Sequence, residues 1–389
     1  MAARAIIAGA GIGGVTTALA LARSGFRAAI HERAPALEEF GAGLQLPPNA
    51  TRILARLGVL PAIRDAATLP AAICAMRGSD DAPLMRMPLE DSERRWGAPY
   101  LVLHRADLLA ALVDATRNLP AIDLRCGSPV GAVAADADGV RVRLAAAEDR
   151  ADLLVGADGL RSGIRDTFGL GEADRPAFGG RVAFRAMVHA DRVEARWLRP
   201  EIRLRLGPNA HLVHYPLRGG SVVNLVAVIA QGWRGESSHP WDGVADRPAL
   251  DRAFSTWSPS TRALLAAAES WRAWPLYGRP SLSTYARGRI ALVGDAAHPM
   301  VPFLAQGAAQ AIEDAAALAD ALAADASVPA ALAAYSRLRV GRATRVQREA
   351  ARQGRIYHLA GPMALARDAA MRLAGGSRLG ARYDWLYRA

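Results

Sequence analysis

The hydrophobic pattern opens with an unbroken apolar run, Ala5 to Ala8, and switches within a few residues to a helical period. A short continuous apolar run predicts a buried strand. Apolar residues at Val15, Ala18, Leu19 and Ala22 predict a helix from Ile12 to Arg23, closed by Gly25, and Phe26 to Ile30 predicts the next strand. Arg52 to Leu57 reads as a short helix capped by Asn49 or Thr51 and closed by Gly58. Ile73 to Met87 is strand-like around the polar turn Gly78 to Asp81, and Leu101 to Leu109 opens an amphipathic helix running through Val113. Val140 to Leu144 and Leu153 to Val155 read as strands.

Between residues 173 and 274 the period changes. Strand-like runs (Arg181 to Val188, Ile202 to Leu206, His211 to Tyr215, Val222 to Ile229) alternate with turns such as Arg218-Gly219-Gly220, and long helices disappear. The α/β rhythm then returns with a strand at Arg289 to Val293 and a long alanine-rich helix from Gln310 to Ala324. From Ala330 to Ala389 the chain reads as helical and basic. The pattern predicts an α/β fold: a Rossmann-type nucleotide-binding domain of residues 1–72, 98–172 and 275–389, its last part helical. A mainly antiparallel β-sheet substrate domain of residues 73–97 and 173–274 is inserted into it.

Composition narrows the function. At 389 residues the chain can bury a sizeable core, and 51% hydrophobic with 22% charged residues is normal for a globular protein. No run of apolar residues is long enough to span a bilayer, and the first strand starts close to Met1. Two distant cysteines, Cys74 and Cys126, make no metal-ligand pattern and suit a reducing compartment, so a cytoplasmic location is expected. The net charge is +11, and all 48 cations are arginine. Without lysine, Schiff-base and Walker-type chemistry are excluded. The arginines are scattered, apart from a stretch at Arg337 to Arg355 that reads as a solvated helix face; neither a nucleic-acid partner nor an integral membrane segment is expected.

Three motifs carry chemistry. In Gly9-x-Gly11-x-x-Gly14 the glycines permit a tight turn, close approach of a pyrophosphate and close packing of helix on strand. Glu32 ends the second strand, where a carboxylate accepts from ribose hydroxyls; an acid there selects NAD or FAD over a 2′-phosphorylated nucleotide. The loop from Gly41 to Asn49 is a candidate wall for a cofactor ring, and Arg105, near a helix start, a candidate phosphate or ribityl clamp. Ala157-Asp158-Gly159 puts a carboxylate at a sheet's carboxyl edge. Gly294-Asp295-Ala296-Ala297-His298-Pro299 does so again, before the turn Gln306-Gly307-Ala308-Ala309. The helix N-terminus there suits a group that becomes anionic, such as the N1–C2 edge of a reduced flavin. In the inserted sheet, strand geometry points His211 and Tyr215 to one face and His214 to the other.

Taken in order, these motifs resemble the single-component FAD-dependent aromatic hydroxylases, the family of para-hydroxybenzoate hydroxylase. The branch is that of salicylate hydroxylase, 3-hydroxybenzoate 6-hydroxylase and 6-hydroxynicotinate 3-monooxygenase. The resemblance implies FAD, with Gly9, Gly11 and Gly14 on the pyrophosphate, Glu32 and Arg33 by the adenosine, and Arg105 near the ribityl-phosphate. It further implies Asp158 and Gly159 in the motif shared with the nicotinamide coenzyme, Gly294 and Asp295 at the ribityl chain, and Gly307 and Ala308 at the flavin's pyrimidine edge. NADH or NADPH would be a transient co-substrate, and O₂ would react at the flavin to give a C4a-hydroperoxide that hydroxylates a small phenolic or heteroaromatic carboxylate. His211 and Tyr215 match a His-x-x-x-Tyr pair that lines the substrate pocket, with His211 as expected base for the phenol. Pro302 and Phe303 stand where two of the branches carry a polar residue, which leans towards a salicylate-like pocket, and His298 is expected to be structural. A monomer or homodimer is expected. The alternatives are a tailoring monooxygenase of larger aromatic or polyketide-like compounds, a flavin-dependent reductase or dehydrogenase, and a nucleotide-sensing flavoprotein.

Overall fold

A computed structural model describes residues 2–37, 43–145, 147–233, 243–244 and 246–388. One part is built on a six-stranded sheet in the order Ala286–Arg287, Ile290–Leu292, Leu153–Gly156, Arg4–Ala8, Arg27–His31, Ile122–Arg125. All neighbours run parallel except the first pair. The four inner strands are buried almost throughout, as parallel strands covered on both faces must be, while the outer two, Ala286–Arg287 and Ile122–Arg125, are not. The register sets Ala8 beside Gly156 and Gly156 beside Leu292, so the carboxyl ends of three strands from distant parts of the chain lie side by side. Doubly wound sheets bind ligands at that edge.

The expected helix Ile12–Arg23 forms with those bounds. The alanine-rich helix begins three residues earlier than its periodicity indicates, at Gly307, and runs to Ala324. The two helices touch near their starts: a methyl on Gly13 would lie 3.3 Å from the Ala311 side chain. Leu101–His104 is a strand, and the helix expected there starts only at Arg105, its first turn capped by His104 Nδ1, which accepts from the Ala106 amide.

The inserted part is an eight-stranded sheet: Gly243–Val244, Arg272–Gly278, Ala177–His189, Val222–Ala230, Ala210–Leu217, Glu201–Gly207, Ala72–Arg77, Pro83–Pro88. Every pair is antiparallel except Glu201–Gly207 with Ala72–Arg77. Phe184, Leu212, Leu225 and their neighbours pack on one face with Phe254 and Trp257. Two short helices, Arg247–Ala253 and Pro259–Ala266, lie in this region, so helices shorten here without vanishing. The opposite face carries Ala183, Arg185, His211, Val213 and Tyr215. Phe303, from the segment preceding Gly307–Ala324, packs on it with Ala183 and Val228.

Two expectations change at a buried polar knot beneath the start of Gly307–Ala324. Asn49 caps nothing; the helix Pro48–Arg56 starts with proline at its first position, and the Asn49 amide donates to Gln306 (3.0 Å) and Glu313 (2.6 Å). Nor is the basic stretch wholly solvated. Arg339 is 3% exposed and its guanidinium donates to Asp314 (2.7 Å) and Glu313 (2.5 Å), while Arg342 adds two bonds to Glu313. Burial alone would raise Asp314, but His298 and Arg339 outweigh it and hold the carboxyl at about 2. Asp314 also accepts from His298 Nε2 (2.5 Å) and from the Gly294 amide (2.8 Å), tying the long helix to the Gly294–Pro299 motif and giving His298 the structural role expected of it. Among the described residues, no helix is long and apolar enough to cross a membrane.

Removing Arg339 takes from buried Asp314 and Glu313 a cation that both share, leaving Asp314 to His298 and Glu313 to Arg342, a loss of about 3–5 kcal/mol. Arg339→Met should therefore lower the urea midpoint markedly; an unchanged midpoint would show that the knot carries no stability.

Candidate active site

The glycine turn is shaped by steric exclusion. Gly9 has φ +103°, and a methyl there would lie 2.6 Å from the Ala157 carbonyl oxygen and 3.2 Å from the Asp158 Cα. A methyl on Gly14 would run into the Gly9 carbonyl oxygen. Gly11 differs, because nothing lies within 4 Å of the methyl it lacks. The first and third glycines thus press helix, turn and strand together, and the second faces open space. Glu32 braces the turn: its carboxylate accepts from the amides of Ala10 (2.8 Å) and Ala34 (2.9 Å). Arg33 beside it is exposed.

Both long helices arrive at this edge without caps. Neither Ile12–Arg23 nor Gly307–Ala324 has a side-chain cap or an acidic residue in its first turn. The earliest residues to close a helical bond at these ends are Val15, to Gly11, and Gln310, to Gln306. The amides of Ile12, Gly13 and Gly14, and of Gly307, Ala308 and Ala309, are left as donors. Open space surrounds the missing methyl of Gly307 as well. Two sets of orphan amides, each at the positive end of a helix, fit a ligand with a phosphate at one end and a ring that gains negative charge at the other. FAD meets both demands.

Asp158 accepts from Ser162 Oγ (2.5 Å) and the Ile164 amide (3.1 Å), and burial raises its carboxyl. The next residue, Gly159, has φ +79° with open space around it. Gly294 is buried at φ +60°, close against Ala311. Asp295 is accessible to water, yet desolvation by the protein around it raises its carboxyl, partly opposed by His298 and Arg105. An accessible group that the surrounding protein desolvates sits in a recess and not on an open face. Arg105 also lies within electrostatic reach of Arg185, which brings the inserted sheet near this region. Gly41 and Ala42 of the expected wall loop lie outside the described residues.

On the sheet, His211 and Tyr215 share the cleft-side face, and His214 points away, against Trp197 and Arg205. Tyr215 is buried and its hydroxyl pushed up by burial, which Arg185 opposes. A methyl on Gly43 would meet that hydroxyl at 2.7 Å. His211 is buried between the rings of Phe303 (5.3 Å) and Tyr357 (5.2 Å), and its Nδ1 lies 2.7 Å from His358 Nε2. Pro302 and Phe303 form a short turn, and Phe303 fits because Gly354 has no side chain: a methyl there would enter the ring.

Two residues here escaped sequence reasoning. His358 comes from the end of the helix Val328–Tyr357, 147 positions from His211. Arg185 is one strand arginine among many; its guanidinium stacks over Trp274 at 5.4 Å and has no carboxylate partner among the described residues. The one signal in the sequence is its even spacing from Arg181 and Ala183 along a strand, which puts it on one face without saying which.

A model of the FAD binding domain family matches residues 2–350. The chain is 39% identical over 389 residues to a 3-amino-4-hydroxybenzoate 2-monooxygenase of Streptomyces platensis, covering 99% of this chain and 95% of the relative. It is 36% identical over 394 residues to a 3-hydroxybenzoate 6-hydroxylase of Klebsiella oxytoca, covering 99% and 96%. The solved substrate complex of a salicylate hydroxylase matches with a TM-score of 0.85 at 26% identity, covering 100% of this chain and 96% of that one.

Burial lowers His211 and His214 well below the usual histidine value and His358 to about 4. These rings stay neutral when folded, whereas the unfolded chain protonates its histidines near 6.5. Their contribution to stability is present above about pH 6.5 and is lost as pH falls towards 4, by up to about 1.4 kcal/mol per pH unit for each ring. The melting temperature should drop between about pH 7 and 5; a flat profile would contradict neutral burial.

Proposed function

We infer the reaction from the premise that this chain belongs to the FAD binding domain family and is an FAD-dependent monooxygenase of the aromatic hydroxylase kind. The substrate we assign is a small hydroxylated aromatic carboxylate of the hydroxybenzoate class, with NADH or NADPH as transient reductant and O₂ as oxidant. The observation that carries the carboxylate is Arg185. Other buried guanidiniums meet carboxylates of the chain: Arg165 and Arg279 at Asp174, Arg205 at Asp81, Arg339 at Asp314. Arg185 is half-buried, lowered by desolvation, and faces the cleft beside Tyr215 with no such partner among the described residues. A desolvated cation is stabilised by an anion brought to it, and its stacking on Trp274 holds the guanidinium plane ready for a planar carboxylate. The relatives' hydroxybenzoate substrates carry that group.

On this reading residues 1–72, 98–172 and 275–389 hold the cofactor, and 73–97 with 173–274 hold the substrate. Gly9, Gly11 and Gly14 position the pyrophosphate, and Glu32 and Arg33 the adenosine. Arg105, Asp158, Gly159, Gly294 and Asp295 line the stretch between, and the Gly307 and Ala308 amides meet the flavin's pyrimidine edge. Bound FAD supplies electrons from the nicotinamide to O₂ and thereby one electrophilic oxygen atom. The protein's own work is positioning and drying. Ala183, Val228 and Phe303 are all nearly inaccessible and exclude water from the reacting ring. Arg185 fixes the carboxylate end of the substrate, and His211 and Tyr215 address its hydroxyl.

FAD-loaded protein should oxidise NADH or NADPH when hydroxybenzoates such as 3-amino-4-hydroxybenzoate and 3-hydroxybenzoate are supplied, with a product that gains one oxygen atom. Coenzyme oxidation that releases only hydrogen peroxide with every acid tried would contradict hydroxylation. Arg185→Met should raise KM for the acid about thirty- to a hundredfold, corresponding to ~2–3 kcal/mol for an unpaired carboxylate, and leave FAD content unchanged. An unaltered KM would remove Arg185 from substrate binding.

A further inference from the structure

The inserted sheet meets the end of the helix Val328–Tyr357 at a chain of three nitrogen-bearing side chains. His358 terminates that helix and is buried. Its place is fixed from behind: Arg367 donates to the carbonyls of Ile356 (3.3 Å) and Tyr357 (3.0 Å), and Asp368 holds Arg367. From the sheet, Arg181 Nε donates to His358 Nδ1 at 3.3 Å, and His358 Nε2 lies 2.7 Å from His211 Nδ1. No carboxylate bonds to either imidazole among the described residues.

The direction of every bond in this chain follows from its first member. A guanidinium has N–H donors and no acceptor. His358 Nδ1 must therefore accept, and the single proton of the neutral ring sits on Nε2. That N–H can only donate to His211 Nδ1, which leaves the proton of His211 on its own Nε2. The Nε2 atom has no protein partner among the described residues. The rings stay neutral because burial is reinforced by cations on every side that carries charge: Arg181 bears on both, and Arg367 on His358. Phe303 and Tyr357 complete the surroundings of His211 without offering charge, the Tyr357 hydroxyl being turned to the Phe303 carbonyl.

We propose that Arg181 and His358 are positioning residues that lock His211 with its proton on Nε2, so that His211 donates a hydrogen bond to the substrate's phenolic oxygen and does not act as its base. To receive a proton at Nε2, His211 would have to carry its own on Nδ1 and aim it at His358. His358 would then turn an N–H towards Arg181, setting two donors face to face. As a fixed donor, His211 stabilises the phenolate. The substrate loses its phenolic proton to bulk water as it enters, before its ring is shielded, and the negative charge stays on the ring oxygen, where it activates the ring towards the electrophilic oxygen. The proposal replaces the base expected at His211, and its kinetic part rests on the hydroxylase reading above.

Two measurements test it, and one needs no substrate. In the FAD-loaded protein with nitrogen-15-labelled histidine, the His211 resonances, assigned by their loss in His211→Gln, should show Nε2 as the protonated, pyrrole-type nitrogen and Nδ1 as pyridine-type. Arg181→Glu, which offers His358 an acceptor, should exchange the two types; Arg181→Lys, still a donor, should not. Kinetically, a glutamine amide can donate but cannot serve as a base. With 3-hydroxybenzoate or 3-amino-4-hydroxybenzoate, whichever turns over, His211→Gln should stay within about fivefold of the native kcat, and His211→Ala should fall about a hundredfold. A pyridine-type Nε2 in the native protein, or a glutamine variant as slow as the alanine one, would overturn the lock. Absence of hydroxylation in the native protein would fault the function assigned above and leave the nitrogen result to decide the tautomer.

Discussion

The structure depends on two helices that end at the same place without capping themselves. A helix start normally recruits a serine, threonine or aspartate to occupy its free amides. Here Gly11 and Gln306 take those positions: Gly11 has no side chain, and the Gln306 side chain accepts from the Gln310 and Asn49 side chains and caps no free amide. Orphan amides in a protein interior are unfavourable unless something bonds to them, and both sets open on one cleft. The rest of the fold can be understood as holding those two ends in register.

That holding is done by contacts of different kind and reach. Around the first helix it is mostly local and steric: Gly9 and Gly14 meet backbone to backbone within the turn, where a side chain would collide, and Ala157, from much later in the chain, presses on both. Around the second it is long-range, because the knot joining Asn49, Gln306, Glu313, Asp314, His298 and Arg339 draws on four separate stretches of chain. Buried charges of this kind specify one arrangement of their elements as much as they stabilise it, since any shift leaves a charge without its partner.

This difference in reach explains what sequence could reveal. The first helix was legible to the residue and its two flanking strands within one residue, because each signal is made within some thirty positions. The strands of the inserted sheet were legible within a few residues from their alternation. The start of Gly307–Ala324 was not, since Gly307, Ala308 and Ala309 are too small to show a period and Gln306 does not look like a cap. Asn49 looked like a cap and Arg339 like a surface cation for the same reason: their partners lie 257 and 264 positions away for Asn49, and 25 and 26 away on another helix for Arg339. His211 and Tyr215 could be paired on a face by counting, but nothing in a strand pattern indicates that a helix end 147 positions later supplies a second imidazole.

The central claim is that one ligand spans both helix starts. The most direct measurement is a crystal structure of the chain loaded with FAD. The account predicts one FAD per chain, its pyrophosphate at the amides following Gly11 and the pyrimidine edge of its ring at Gly307 and Ala308. A flavin anchored at only one of these ends, or a chain that refuses FAD altogether, would contradict it.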